Sequence, residues 1–447
     1  MTSDRRIERD LPDLLDDLYM TSAPTYRDHI LQQTARTRQR PAWSFVERWL
    51  PMVDIARQPV AAPRIPMRLI GLSLALIGLV LVLIAVAVVG SQTRLPDPFG
   101  QARNGLVAYA AEGDIFTVDP TTGASTAIVT GPETDVGPRY SRDGTRLAFE
   151  RKAAEVGRGQ VFVVASDGTD LTLITPDAQS TLANYQFSPA ADEVMFTSMV
   201  GSRQDSDSLT VPAISIANSD GSGVRTLDVG FAAIDPVYLP PEGREIVFVG
   251  QPTGEASGLY AIGADGSDLR TIVEPSDMVF SSVAPSPDGS EIAYTAWGVN
   301  ASGDLSLGSS EQARVHVSSA DGKTTRILPV LPETALQGNP VWSNDGTRLL
   351  VWRCNDSPGG DACVSTLAAL PANGRDTGVQ LESRLARLAD ETGLHVWAPD
   401  DTSILAGVID PQGSSSAQLV EWDPLDGSTK TLTSNVSGEP SWQRLAR

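Results

Sequence analysis

The sequence has few of the residues on which most enzyme active sites and metal sites depend. Its 447 residues include 3 His and 2 Cys. No pattern typical of a nucleophile elbow, a phosphate-binding loop, a zinc protease or a zinc finger occurs in it. An Asp-rich stretch at 202–208 (SRQDSDS) lacks the ligand spacing and final Glu of a calcium loop. We therefore expect no metal, no cofactor and no enzymatic activity.

Basic residues are also scarce beyond the N-terminal part of the chain. The net charge is -21; residues 1–68 hold 11 Arg and 9 acidic residues, and the remainder holds 23 basic and 46 acidic residues. A domain this acidic repels the phosphate backbone of DNA and RNA. We expect no nucleic-acid partner.

One long apolar run is present, from 69 to 89 (LIGLSLALIGLVLVLIAVAVV). At about 1.5 Å per residue, an uncharged helix of this length spans roughly 30 Å, the thickness of a bilayer core. A signal peptide has a shorter apolar core and a short basic region before it. The run therefore predicts an uncleaved transmembrane helix over 68–90.

The flank of this run predicts its orientation. Eight Arg and three acidic residues lie between Arg27 and Arg68. By the positive-inside bias, the N-terminus is expected in the cytoplasm and the acidic C-terminal part outside the cell. The chain is then a single-pass protein of the cell membrane.

Residues 1–67 are expected to form a small helical segment, because Leu11, Leu14 and Leu18 recur at helical spacing. A helical cytoplasmic segment, one span and an external domain resemble the layout of membrane-bound anti-sigma factors, which implies a regulatory partner such as a sigma factor. The zinc-binding His-x3-Cys-x2-Cys of many anti-sigma factors is absent. The alternative is an anchor whose Trp43 and Trp49 lie at the membrane interface.

The rest of the chain is built from repeats. One unit contains an aromatic residue, then Ser-x-Asp-Gly and an apolar strand, as in PRYSRDGTRLAFE (138–150) and PVWSNDGTRLLVW (340–352). A second unit is an apolar strand, a Gly-containing turn and another strand, as in LYAIGADGSDLRTIV (259–273). The units recur about every 50 residues, which suits a four-stranded propeller blade.

The repeats predict an all-β fold, a seven-bladed β-propeller, with six blades possible if one unit is degenerate. The chain ends on a single inner strand, PSWQRLAR (440–447), and the repeats begin with the later part of a blade at 105. The two ends are therefore expected to share one blade, which leaves no exposed sheet edge. The predicted organisation is a cytoplasmic helical segment over 1–67, a transmembrane helix over 68–90, a linker over 91–104 and an extracytoplasmic propeller over 105–447.

The motifs PRYSRDG, APSPDG and PVWSNDG resemble the WD40-like propeller repeats of TolB-like proteins and of the N-terminal propellers of prolyl oligopeptidases. The resemblance covers about 345 residues and implies a propeller fold. TolB proteins carry an α/β domain before the propeller, and here a membrane anchor is predicted in that place. A prolyl oligopeptidase would also have a hydrolase domain after the propeller.

The longer loops are expected on one face, together with the starts of the inner strands, so this face is the predicted recognition surface for a protein or cell-wall ligand. The residues just before the inner strands surround the expected mouth of the channel. They are Asn184, Asp235, Ser281, Asn339, His395 and Glu439. Two interpretations are open: these residues bind a ligand, or they cap turns and contact only water.

The two cysteines, Cys354 and Cys363, flank a Gly-, Pro- and Asp-rich loop. In an oxidising compartment they are expected to form a disulfide that closes this loop.

These expectations lead to a membrane-tethered propeller that binds a protein, peptide or cell-wall ligand and possesses the layout of a transmembrane regulator. Two alternatives stay open: an extracytoplasmic hydrolase or lyase with its site in the channel, and a structural scaffold of the envelope.

Overall fold

The computed structural model describes parts of the chain between Asp97 and Arg447. The described residues are 97–152, 159–175, 181–200, 211–252, 256–276, 278–298, 313–332, 334–355, 364–381, 395–409 and 417–447. In these stretches no helix is present, and so none that is long and apolar enough to cross a membrane. The predicted span over 68–90 and the predicted helical segment over 1–67 lie outside the described residues, as do most residues of the longer loops.

Five groups of four consecutive strands form separate antiparallel sheets. Their strands are β4 (Thr134–Tyr140), β5 (Arg146–Lys152), β6 (Gly159–Ala165) and β7 (Thr172–Leu173); β8 (Thr181–Phe187), β9 (Glu193–Val200), β10 (Val211–Asn218) and β11 (Arg225–Thr226); β12 (Ala232–Tyr238), β13 (Glu245–Gln251), β14 (Gly258–Gly263) and β15 (Arg270–Val273); β16 (Met278–Pro285), β17 (Glu291–Gly298), β18 (Arg314–Ser319) and β19 (Thr325–Ile327); β20 (Thr334–Trp342), β21 (Arg348–Asn355), β22 (Val364–Pro371) and β23 (Val379–Gln380).

The remaining strands form one seven-stranded sheet that contains both the first and the last strand. In spatial order they are β24 (His395–Trp397), β25 (Ile404–Ile409), β26 (Ala417–Trp422), β27 (Thr429–Leu445), β1 (Arg103–Ala111), β2 (Asp114–Val118) and β3 (Ser125–Val129). The first half of β27 pairs with β26, and its second half pairs with β1, where Val107 lies opposite Trp442. The two ends of the repeat region therefore meet in one sheet.

The all-β propeller fold is confirmed, but the count of seven separate blades is wrong. The described residues form five separate four-stranded blades and the seven-stranded sheet. The reason lies in β27, which is 17 residues long and continues from one partner strand to the next without a loop. The sequence pattern places a repeat boundary between two blades here. In the structure this boundary falls within β27.

The core lies between neighbouring sheets, because the middle strands of each blade are covered on both faces. All six residues of β14 are buried, and Tyr260 on this strand packs with Met195 and Ile216 of the preceding blade. A strand covered on both faces reads as a continuous apolar run rather than an alternating one. Seven clusters of buried apolar side chains follow one another around the described sheets.

Three arginines at one position of the repeat link each blade to the next. The guanidinium of Arg270 donates to both carboxylate oxygens of Glu245, at 3.0 and 3.1 Å, and to the carbonyl oxygen of Ala320 in the following blade, at 3.0 Å. Arg225 and Arg326 make the same set of contacts in their own blades. A fork of donors that binds a carboxylate and a neighbouring carbonyl fixes the angle between two blades.

The ion pair in this link is expected to contribute modestly to stability. Its side chains are 36% and 34% exposed, so water screens the attraction. In a double-mutant cycle with Glu245→Gln and Arg270→Gln, urea unfolding should give a coupling energy of about 0.5–1 kcal/mol. The control is the pair of Lys323 and Asp321, which is 81% and 54% exposed and should show no measurable coupling. Equal coupling in the two cycles would contradict this prediction.

Candidate functional site

Each inner strand of the five separate blades contains a β-bulge at the same position. Two residues of the inner strand lie opposite one residue of its neighbour at this point in β4, β12, β16 and β20, and in β8 the register shifts by two residues there. In four of these strands the first bulged residue has a left-handed backbone: Gly137 (φ 62), Asp235 (φ 49), Ser282 (φ 55) and Asn339 (φ 50). Asp and Asn tolerate this conformation better than most residues. The bulges re-aim these side chains around one end of the central channel.

Four polar side chains at the bulges form a chain of contacts from blade to blade. We call Asn184, Asp235, Ser282 and Asn339 the mouth ring. Asn184 Nδ2 lies 3.5 Å from Asp235 Oδ1, and the backbone N–H of Ser282 donates to Asp235 Oδ2 at 3.0 Å. The hydroxyl of Ser282 donates to Asn339 Oδ1 at 2.6 Å. All four side chains are half-buried, so the ring keeps access to water.

His395 continues this arrangement on the far side of Asn339. Its Nε2 lies 3.3 Å from the carbonyl oxygen of Asn339. Because a carbonyl only accepts, Nε2 carries the proton. His395 is buried, and burial lowers its pKa from 6.5 to about 4, with the bond to Asn339 opposing this shift. At neutral pH His395 is therefore an uncharged donor.

Glu439 lies on β27 and forms an ion pair with Arg139 of β4, with 2.7 Å between Arg139 Nη2 and Glu439 Oε2. The guanidinium of Arg139 also lies over the ring of Tyr185, 5.5 Å from its centre. Tyr185 in turn donates from its hydroxyl to the carbonyl of Gly137. These contacts link β27, β4 and β8.

The sequence predicted Ser281 at the mouth, one residue before the serine that belongs to the mouth ring. Ser281 lies just before the bulge of β16, and its hydroxyl accepts a hydrogen bond from Trp297 Nε1 at 3.3 Å. The side chain that faces Asn339 belongs to Ser282. The bulge is at the same place in β16 and β20, and Ser282 and Asn339 each stand three residues before the last residue of their strand. The prediction therefore placed this repeat one residue out of register.

The sequence also predicted a disulfide between Cys354 and Cys363. Cys354 is disulfide-bonded and 3% exposed. Cys363 is the one other cysteine of the sequence and lies outside the described residues.

A cavity of about 270 Å³ lies deeper between the inner strands. Residues that follow the bulges contribute apolar surface to it, among them Val237, Val283 and Val341, together with the aromatic residues Phe187 and Trp342. In the described part of the chain, no group of three or more His, Cys, Asp or Glu side chains could hold a metal ion.

The segment that precedes β1 closes part of this cavity. Phe99 and Gly100 line it, and Phe99 lies 4.7 Å from the guanidinium carbon of Arg142. Arg444 holds the segment by donating to the carbonyl oxygens of Asp97, at 3.1 Å, and Gly100, at 2.6 Å. The cavity is therefore bounded on one side by the chain's own residues.

Arg142 is a cavity residue that the search for motifs did not single out. The second residue after the end of the inner strand lines the cavity in all five separate blades. It is arginine in one blade and proline or asparagine in the other four. These residues are Arg142, Pro189, Pro240, Pro287 and Asn344. The signal was present in the sequence as SRDG where other copies read SPDG and SNDG.

No family model matches the sequence. An uncharacterised protein of Agrobacterium fabrum is 28% identical over 139 residues, which are 30% of this chain and 46% of that protein. The match therefore spans less than half of the relative.

Solved propeller structures match the fold at low sequence identity. A prolyl endopeptidase has a TM-score of 0.53 and 10% identity over 76% of this chain and 50% of its own. An oligogalacturonate lyase from Vibrio parahaemolyticus has a TM-score of 0.51 and 14% identity over 71% of this chain and 91% of its own. TolB from Acinetobacter baumannii has a TM-score of 0.46 and 14% identity over 77% of this chain and 81% of its own.

The blades form a β-propeller, as the repeats predict, and the prolyl endopeptidase and the oligogalacturonate lyase share that fold. At these identities the likeness shows the fold alone. Two of the matched proteins are named as enzymes, and their names say nothing about the activity of this chain.

Proposed function

We propose that this chain is a membrane-anchored, extracytoplasmic propeller that binds a protein, peptide or cell-wall ligand at the mouth ring. The observation that carries the proposal is the convergence of four half-buried polar side chains at one end of the channel. Side chains that are held by one another and still reach water are arranged to exchange those contacts for a ligand.

The proposed anchor rests on the sequence. The uncharged run at 69–89 and the arginines before it support a single span with the N-terminus in the cytoplasm. Residues 1–67 would then lie in the cytoplasm, where a regulatory partner such as a sigma factor could bind them.

We propose a binding role rather than catalysis because the titratable side chains around the mouth are already engaged. His395 is neutral and donates to a backbone carbonyl. Glu439 is paired with Arg139. General acid–base work needs a group that is free to exchange a proton near the operating pH.

We also propose that the seven-stranded sheet corresponds to two repeat units that share β27. Its first four strands in space and its last four each make a four-stranded unit if β27 is counted in both. The seven clusters of buried side chains between neighbouring units support a ring of seven.

The binding role can be tested by photo-crosslinking in native membranes with the full-length chain. A benzoylphenylalanine in place of Ile234, which is 37% exposed and next to Asp235, should give an adduct of defined mass. The same group in place of Leu425, which is 83% exposed at the opposite end of the blades, is the matched control and should not. Adding Asp235→Asn to the Ile234 variant should reduce the adduct about tenfold, because a charged acceptor is lost. The proposal would be contradicted by the same adducts from both positions, or by an adduct that Asp235→Asn leaves unchanged.

A further inference from the structure

Arg142 is the cation of the cavity. Among the described residues its guanidinium has no hydrogen-bond or ion-pair partner; its one recorded contact is the ring of Phe99. The side chain lines the cavity and is itself exposed to solvent. Surrounding protein nevertheless desolvates the guanidinium, and this burial lowers the pKa of Arg142. An arginine stays protonated at neutral pH despite such a shift, so the cavity contains a charge without a counterion.

A second guanidinium adds to the positive potential. Arg444 is 5% exposed, and its Nε has no hydrogen-bond partner among the described residues. Burial, and then the charge of Arg142, lower the pKa of Arg444 to about 10, while Asp401 and Asp97 oppose the shift. The two arginines are therefore close enough to repel one another. An anion between or beside them would relieve this repulsion.

The rest of the cavity wall is mixed, with Gln186 and Asn344 beside apolar side chains. Phe187, Tyr238 and Trp342 line it and are less than a tenth exposed, and several prolines complete the wall. The aromatic side chains and prolines give an apolar body a surface to pack against. The protein around it is strongly acidic, with a net charge of -21, so a positive cavity stands out from the surface as a whole.

We propose that this cavity binds a carboxylate attached to an apolar, aromatic or branched body, with the guanidinium of Arg142 on the carboxylate. The proposal deepens the proposed function and rests on it for the role of the channel as a binding site. A guanidinium presents two parallel donors to a carboxylate, and this bond gains strength where water is partly excluded. The same chemistry occurs at the C-terminus of a peptide and at an acidic side chain next to an apolar residue.

The test is calorimetric titration of the full-length chain in detergent with N-acetyl-phenylalanine and with its amide. The acid should bind at least about tenfold more tightly than the amide, because the amide cannot accept a charge-assisted pair of hydrogen bonds. Arg142→Gln should remove this preference. Arg375→Gln, at an exposed arginine of another turn, is the matched control and should keep it.

Two further ligands separate the sources of the carboxylate. A short peptide that ends in phenylalanine with a free carboxylate is compared with a capped peptide that contains an internal Asp-Phe. Tight binding of the first alone assigns the site to C-termini, and tight binding of the second assigns it to acidic side chains.

Equal affinity for acid and amide overturns the proposal, as does a preference that survives in Arg142→Gln, or the absence of binding by the parent protein. Melting temperatures of the two arginine variants check that both are folded. Asp235→Asn should bind the acid as the parent does. Loss of crosslinking at the mouth ring can therefore be told apart from loss of acid binding at Arg142. Each proposal can fail without the other.

Discussion

Gly289→Ala is expected to destabilise the propeller by about 3 kcal/mol or more, several times the cost of the same change at Gly427. Both glycines have a left-handed backbone, with φ of +70 and +78, so each alanine carries the same strain of about 1 kcal/mol. A Cβ at Gly427 meets nothing within 4 Å, whereas at Gly289 it would overlap the carbonyl oxygen of Pro240 in the preceding blade. The extra cost is the movement of one blade against the next.

The measurement is urea unfolding of the two variants and the parent, compared at equal slope. The pair isolates the contact between blades, because the substitution is the same and both glycines have a left-handed backbone. If Gly289→Ala were as mild as Gly427→Ala, the close approach of the Asp-Gly turn to the neighbouring blade would not contribute to stability.

Lowering the pH from 6.5 to 4 is expected to reduce the free energy of unfolding by about 3 kcal/mol through His395 alone. Its pKa is about 4 in the fold against 6.5 in the unfolded chain. Above pH 6.5 neither state takes the proton, so the stability is fully present. Below pH 6.5 the unfolded chain is protonated and the folded one is not, and stability falls until the pH reaches the folded pKa.

The control variant is His395→Gln, whose side-chain amide can still donate to Asn339. Its unfolding free energy should change much less between pH 7 and pH 4.5 than that of the parent. Burial also lowers the pKa of His316, so His316→Gln shows the share of the second histidine. An unchanged pH dependence in His395→Gln would contradict the burial of a neutral imidazole.

Acidic turns add a separate loss at lower pH. Hydrogen bonds from Ser267 to Asp265, and from Ser222 to Asp220, lower the pKa of these carboxyl groups below 3.8. Groups with a lowered pKa stabilise the fold above 3.8 and lose that effect as the pH falls through the folded pKa. This window lies below the one of His395, so the two effects can be separated on the pH axis.

The sequence predicted the strands and turns well because their signals are local. The aromatic residue before Ser-x-Asp-Gly lies at the end of an inner strand in each case, for example Tyr140 in β4 and Trp342 in β20. The Asp-Gly turns follow from residues within four positions of one another. The meeting of the first and last strands followed from the incomplete units at the two ends.

What depended on register or on several blades together was not predicted. Ser281 was predicted in place of Ser282 because β16 ends in Pro285 where the other inner strands end in an aromatic residue, so this repeat was aligned one residue out of register. The unbroken path of β27 made one sheet from strands that the repeat assigns to two units. Arg142 stood at a repeat position already aligned, and its meaning required knowing that this position faces the cavity.

The pairing of Val107 with Trp442 also sets when the ring can close during synthesis. The partner of β1 is translated after every other strand described, and at about 5–20 residues per second the ribosome needs on the order of tens of seconds to reach it. During that time the edge of β1 is open to other chains. Contacts this distant along the chain also slow folding. We therefore expect the yield of folded protein to depend on a chaperone that covers β1 until β27 has been synthesised.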